Sequence, residues 1–368
     1  MTEVANSIRG GTKGRDSNIE LFRILLMFLI IAHHYTVNSG LTDCYNFNNV
    51  TLNMVFLQIF GMFGKAAING FTLITGYYMV KSNITVKKFL KLYLEAKFYY
   101  FMFYLIFLVT GYEPFSAKGL VKTVFSIIYE SGSLYTGTYI VFFLFIPFLN
   151  ILVKGMTKKQ YQGLLGLAIC YFTIFSTFFK HDTFNFIGWM EVAYLIGGYI
   201  SLYPCKLYSS KKISALFLAA SVALMVASIV VVDFVGAKYG FGDFYYMVAD
   251  SHKLFALTCS VAAFLLFKNI KVAQNKIINQ VAASTFGILL IHTNSVSMRR
   301  FLWKDLLQNT MFYDSKLLVF QAFGSVCLVY VVCLLIDQLR IKFIEKPIYN
   351  KIENNKYLGR ISQHWEEI

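Results

Sequence analysis

Between residues 20 and 344, apolar stretches long enough to cross about 30 Å of hydrocarbon follow one another with only short polar breaks. Lipid offers no partners for backbone N–H and C=O groups, so runs of this length must fold as helices. They predict about ten spans: 20–38, 51–80, 89–110, 134–153, 161–179, 186–204, 213–235, 252–268, 281–298 and 317–344. The expected fold class is all-α, a polytopic transmembrane bundle over 20–347 with short tails at 1–19 and 348–368. Composition agrees, since 57% of residues are hydrophobic and 14% charged, against about 25% charged in a soluble domain.

The first apolar run contains Arg23, lacks a small-residue cleavage site and ends in His33-His34-Tyr35, so it reads as a retained helix rather than a signal peptide. The second is too long for one straight crossing and carries Gly61, Gly64, Lys65, Asn69, Gly70 and Gly76, which predicts a break, a re-entrant turn or a strong tilt. The small residues also suit close approach of another helix. Segment 111–133 reads as an interfacial helix plus loop.

Basic residues favour cytoplasmic loops. An even number of spans with the N-terminus inside collects Arg9, Lys13 and Arg15, Lys81 to Lys91, Lys154 to Lys159, Lys206 to Lys212, Lys268 to Lys276, and the tail from Arg340 to Arg360 on one side. Both termini are therefore expected in the cytoplasm. The net charge of +15 does not call for nucleic acid, because the lysines sit between spans and not in a stripe with stacking aromatics. Cys44 and Cys205 fall near opposite ends of the bundle, and the six cysteines form neither a disulfide framework nor a CxxC pair.

Chemistry-bearing residues stand out against this apolar background. Arg23 and His34 are eleven residues apart, so on a helix they share nearly one azimuth and lie roughly 16 Å apart along the axis. Glu20, three residues before Arg23, is placed to hold its guanidinium. The plainer reading is a structural Glu20–Arg23 pair with the histidines reaching toward headgroups. Against it, a cation in hydrocarbon costs about 2.5 kcal/mol or more, and a helix that only spans has no use for one. A neutral imidazole is the ordinary general base near neutral pH.

Under the expected topology His292 on span nine and Glu191 early in span six reach the same outer depth as His34, as does Tyr139 on span four. His34, His292 and Glu191 are thus the catalytic candidates, with Tyr139, His33 and Asn294 as candidate substrate contacts; a lone His292 bonded between helices is the competing reading. No metal is expected, since His33 and His34 are adjacent and face apart, and no HExxH spacing exists. Lys87, Lys88 and Lys91 read first as a cytoplasmic anchor and also suit a phosphorylated donor.

Taken together, Asn18-Ile-Glu-Leu-Phe-Arg23 with His33-His34, Asn69-Gly-Phe-Thr-Leu-Ile-Thr-Gly-Tyr77, Tyr139 to Asn150, Leu195-Ile-Gly-Gly-Tyr-Ile200, Thr285 to His292, and Leu335-Ile-Asp-Gln-Leu-Arg340 with Glu345-Lys-Pro347 resemble the membrane acyltransferase-3 family over nearly the whole chain. The resemblance implies a bacterial plasma-membrane enzyme. It would move an acetyl group from cytoplasmic acetyl-CoA to a hydroxyl of a surface glycan or lipid-linked oligosaccharide. The family's arginine–ten residues–histidine motif maps onto Arg23 and His34. Arg23 would hold the CoA end, and His34 would act as base on the acceptor hydroxyl or as a transient acyl carrier. One departure is that many relatives carry arginines where this chain has Lys87, Lys88, Lys91 and Glu95; lysine lacks the bidentate fork. The rival expectation is a transporter or flippase for a lipid-linked glycan, though no repeated halves are visible.

Overall fold

The computed structural model describes residues 16–82, 84–179, 183–239, 245 and 247–348; apart from residues 16–19 and 348, both tails lie outside the described residues. Along the chain run α1 (Ser17–Val37), α2 (Leu52–Gly61), α3 (Gly64–Met79), α4 (Val86–Val109), α5 (Ala117–Val124), α6 (Ser126–Glu130), α7 (Tyr135–Gly155), α8 (Lys158–Ile169) and α9 (Ser176–Phe178). They continue with α10 (Phe186–Leu202), α11 (Lys211–Tyr239), α12 (Leu254–Asn269), α13 (Lys276–Ala283), α14 (Thr285–His292), α15 (Val296–Arg300) and α16 (Leu318–Arg340). Among the described residues there is no strand, as the unbroken apolar runs require.

Helix α1 is the hub, packing against α2, α3, α12, α13, α14 and α16. Phe22, Leu26, Met27, Ile30, Ile31 and Tyr35 bury its apolar faces. Only a narrow strip at Leu21 and Leu25 stays exposed, so most of the polar groups α1 carries meet protein. The opposite case is α11, whose Leu216, Leu224, Val231 and Phe234 stay exposed where lipid would cover them.

Close approach in the second span comes from its glycines. A Cβ on Gly76 would stand 2.0 Å from the Tyr194 carbonyl oxygen, and one on Gly197 would stand 2.2 Å from that of Leu73. Backbone cannot swing aside as a side chain can, so α3 and α10 touch only because both positions are glycine. Gly197→Ala is expected to force the helices apart and cost about 1–3 kcal/mol. A melting curve in mild detergent reads this as a lowered midpoint, and an unchanged midpoint would refute the tight contact.

The break expected in the second span falls at Met62–Phe63, between α2 and α3. Span nine, expected as one helix over 281–298, is instead bent by 94° after His292. The cause is local. Thr293 and Asn294 turn their side chains back onto the carbonyls of Leu289 (2.8 Å) and Leu290 (3.2 Å), and Ser295 Oγ caps α15 by accepting from the Met298 amide at 3.0 Å. Such polar residues end one helix and start another.

Among the described residues seven helices are long and apolar enough to cross a membrane, or eight if the bent pair counts as one span. The expected sixth and eighth spans are the shorter helices Phe186–Leu202 and Leu254–Asn269. The larger expected count is therefore not met by length, because these helices are clasped by neighbours, α10 by α3, α7 and α8, and α12 by α1, α3 and α11. Within 111–133, expected as an interfacial helix plus loop, the chain forms the two short helices α5 and α6. Lys97 pins them, donating to Thr123 O (3.3 Å), Val124 O (2.6 Å) and Ser126 Oγ (3.0 Å).

Two loop thiols give a test of orientation. Backbone N–H groups of Tyr208 and then Leu207, with Lys158 nearby, hold the exposed Cys205 thiol below its ordinary range. Partial burial and the carboxylates of Asp43 and Asp314 push the Cys44 thiol up. The thiolate is the reactive form, so at neutral pH a maleimide should label Cys205 faster, with Cys44 needing higher pH. In single-cysteine variants a bilayer-impermeant maleimide applied to intact cells should reach Cys44 and spare Cys205. The reverse pattern would invert the expected topology.

Candidate active site

Residues that are far apart in the chain meet at the C-terminal end of α1. His292 Nδ1 lies 2.6 Å from the Ile288 carbonyl oxygen, which can only accept, so Nδ1 carries the proton and donates. The Nε2 of neutral His292 is then an acceptor. It receives a hydrogen bond from His34 Nδ1 at 3.0 Å. This leaves the lone pair on His34 Nε2, and His34 lines a cavity of about 290 Å³. One backbone carbonyl thus sets the tautomer of two imidazoles in series, in the way an outer partner orients a working histidine.

His33 also lines this cavity but is otherwise engaged. Its Nδ1 donates to the Gly61 carbonyl at 2.8 Å, and Gly64 packs directly beneath its ring. The polar lining also includes Asn38, Lys65, Glu130, Tyr135, Asn294 and Arg299. Lys65 Nζ pairs with Asp250 at 3.4 Å, Arg299 Nη1 donates to the Thr293 carbonyl at 3.2 Å, and the Tyr100 hydroxyl donates to Glu130. A base, a carboxylate, two cations and two carboxamides around one small cavity can deprotonate a hydroxyl and hold polar ligand groups.

Arg23 stands on the same helix but outside the cavity lining. Its Nε is 3.7 Å from Glu20 Oε1, the i,i+3 pair that spacing predicts, and its side chain keeps 31% exposure. Tyr135 and Tyr139 stack at 5.5 Å and 15°. Tyr135 lines the cavity of His34.

Other sequence candidates are placed as follows. Asn294 is at the cavity. Tyr139 is beside it, its hydroxyl 3.0 Å from Thr75 Oγ1. Glu191 is half-buried on α10 and does not line the cavity. Lys87, Lys88 and Lys91 are exposed at the start of α4, with Lys91 Nζ 2.5 Å from Glu345 Oε1. Among the described residues no group of three or more His, Cys, Asp or Glu side chains is set to hold a metal.

A model described as an acyltransferase domain matches residues 16–337. The chain belongs to the acyltransferase-3 family. No curated protein and no solved structure matches it. Membership and the apolar helices together make it a multi-pass membrane acyltransferase.

The matched region ends at Asp337 and so includes part of a second feature of this acyltransferase. Arg340 on α16 is buried and reaches three carboxylates: Glu95 (Nη2, 3.0 Å), Asp337 (Nε, 2.8 Å) and Glu345 (Nη1, 2.8 Å). The Tyr99 hydroxyl donates to Asp337 at 2.7 Å, and the Tyr99 ring lies 5.7 Å from the guanidinium. Glu95, the departure from the family pattern, therefore answers an arginine from another helix. Sequence reasoning missed Lys65, Tyr100, Glu130, Tyr135 and Arg299 as cavity residues. The signal for Arg299 was the Thr293-Asn294-Ser295 run, which stops one helix and redirects the next.

Proposed function

We propose that this acyltransferase moves an acetyl group from cytoplasmic acetyl-CoA to a hydroxyl of a surface or exported polysaccharide in a bacterial plasma membrane, with His34 as general base. The observation that carries the reading is the Ile288–His292–His34 chain, which leaves a basic imidazole nitrogen for a polar cavity. Arg23 at the other end of the same helix face suits the phosphates of a donor entering from the inner side. Lys87 and Lys88 at the exposed start of α4 suit the same phosphates.

In this mechanism His34 Nε2 takes the proton of the acceptor hydroxyl as its oxygen bonds to the thioester carbonyl carbon. The tetrahedral intermediate then breaks its C–S bond, and the departing CoA thiolate takes the proton back from His34. The imidazolium formed in between keeps its Nδ1–H on His292. Asn294, His33 and Tyr139, in or beside the cavity, are assigned to substrate contacts.

The test uses cells carrying the chain, cells lacking it, and cells with His34→Ala at matched membrane expression. Proton NMR of the surface polysaccharide should show alkali-labile O-acetyl signals with the wild type alone. Identical signals in all three would overturn the reading. An unchanged acetyl pattern with lost or misplaced polysaccharide would point to transport.

A further inference from the structure

The acyl-transfer reading assigns the base but leaves the negative charge on the carbonyl oxygen unanswered, and the bent end of α14 supplies a group for it. We propose that Arg299 is the electrostatic catalytic group of this site, its guanidinium holding the oxyanion of the tetrahedral intermediate. The proposal rests on the acyl-transfer reading.

Four observations carry it. The 94° bend after His292 folds α15 back, so that Arg299, seven residues on, lines the same cavity as His34. Its Nη1 bonds the Thr293 carbonyl at 3.2 Å, one residue from the histidine that orients the base. Its side chain is part-buried at the cavity wall, whereas that of its neighbour Arg300 is exposed. A guanidinium has five N–H donors, and the bond to Thr293 uses one of them, leaving the fork for a ligand oxygen.

The other charged groups facing this space fit a positioning part. Glu130 lines the same cavity and is itself held by the Tyr100 hydroxyl. Lys65 is already engaged by Asp250. Arg299, which lines the cavity and has donors beyond the Thr293 bond, is therefore the cation assigned to the reacting region. When the acceptor oxygen adds to the thioester, the carbonyl π pair moves onto oxygen. A fixed cation there stabilises that charge without having to reorganise, and the pair returns as the C–S bond breaks.

The experiment follows thiol release from acetyl-CoA by membrane vesicles bearing the full chain and the host's own surface glycan. Arg299→Gln should lower kcat about 100-fold and leave the KM for acetyl-CoA within about threefold of wild type. Arg299→Lys, which keeps the charge without the fork, should melt like the wild type and turn over at an intermediate rate. Added guanidinium ion should restore part of the turnover of Arg299→Ala. Undiminished kcat in Arg299→Gln, a rise confined to KM, or Arg299→Lys no better than Arg299→Gln would each overturn the proposal. His34→Ala in the same vesicles separates the two readings. If it turns over normally the parent mechanism falls, whereas a dead His34→Ala beside a fully active Arg299→Gln removes only the role of Arg299.

Discussion

Replacing His34 with alanine is expected to lower acyl transfer about a thousand-fold, within the range that loss of a positioned general base produces. Removing it takes away the one nitrogen that the hydrogen-bond chain leaves for the cavity, and no neighbour can substitute. His33 donates Nδ1–H to Gly61 and is packed against Gly64, so its ring cannot turn to the same point. His292 commits its Nδ1 proton to Ile288. His292→Ala should therefore cost about tenfold to a hundredfold, the usual effect of losing a partner that orients a working imidazole. His33→Ala should retain part of the activity, and Arg23→Ala should raise the KM for acetyl-CoA more than it lowers kcat. Initial rates of thiol release across the four variants provide the check. Full activity in His34→Ala, or equal losses in His34→Ala and His33→Ala, would remove the assignment.

Arg340→Ala is expected to be the most damaging substitution for stability. Arg340 is buried against Glu95, Asp337 and Glu345, and Lys91 pairs with Glu345. Its loss strands carboxylates in a region where water cannot replace it, which typically costs about 3–5 kcal/mol. The space around Asp337 gives no relief, because a Cβ on Gly287 would already stand 2.1 Å from Asp337 Oδ1. Unfolding in mild detergent, together with the yield of membrane-inserted protein, measures the effect. Adding Glu95→Gln should recover part of the loss by removing one stranded charge. Wild-type stability in Arg340→Ala would mean that α4 and α16 are held by apolar packing alone.

Periodicity within a single helix is readable from the order of residues. The 100° turn per residue and 1.5 Å rise put Glu20, Arg23 and His34 on one face of α1, and that relation holds whatever surrounds the helix. The break near Gly61 and Gly64 and the short helical segment before α7 are legible for the same reason, since glycine and short polar runs act locally. Contacts between helices are not legible in this way. His292 and Glu191 are equal candidates by depth, yet only His292 meets His34, across 258 positions of chain. Arg299 and Glu130 read as loop charges and come to the cavity through a helix bend and a short helix before α7. The α1 face, the apolar runs and the helical class were determined by the sequence alone, because backbone geometry and the demands of lipid act over a few residues. The histidine pair, the cavity and the Arg340 cluster were decided only by the tertiary structure, because they depend on which faces of distant helices pack together.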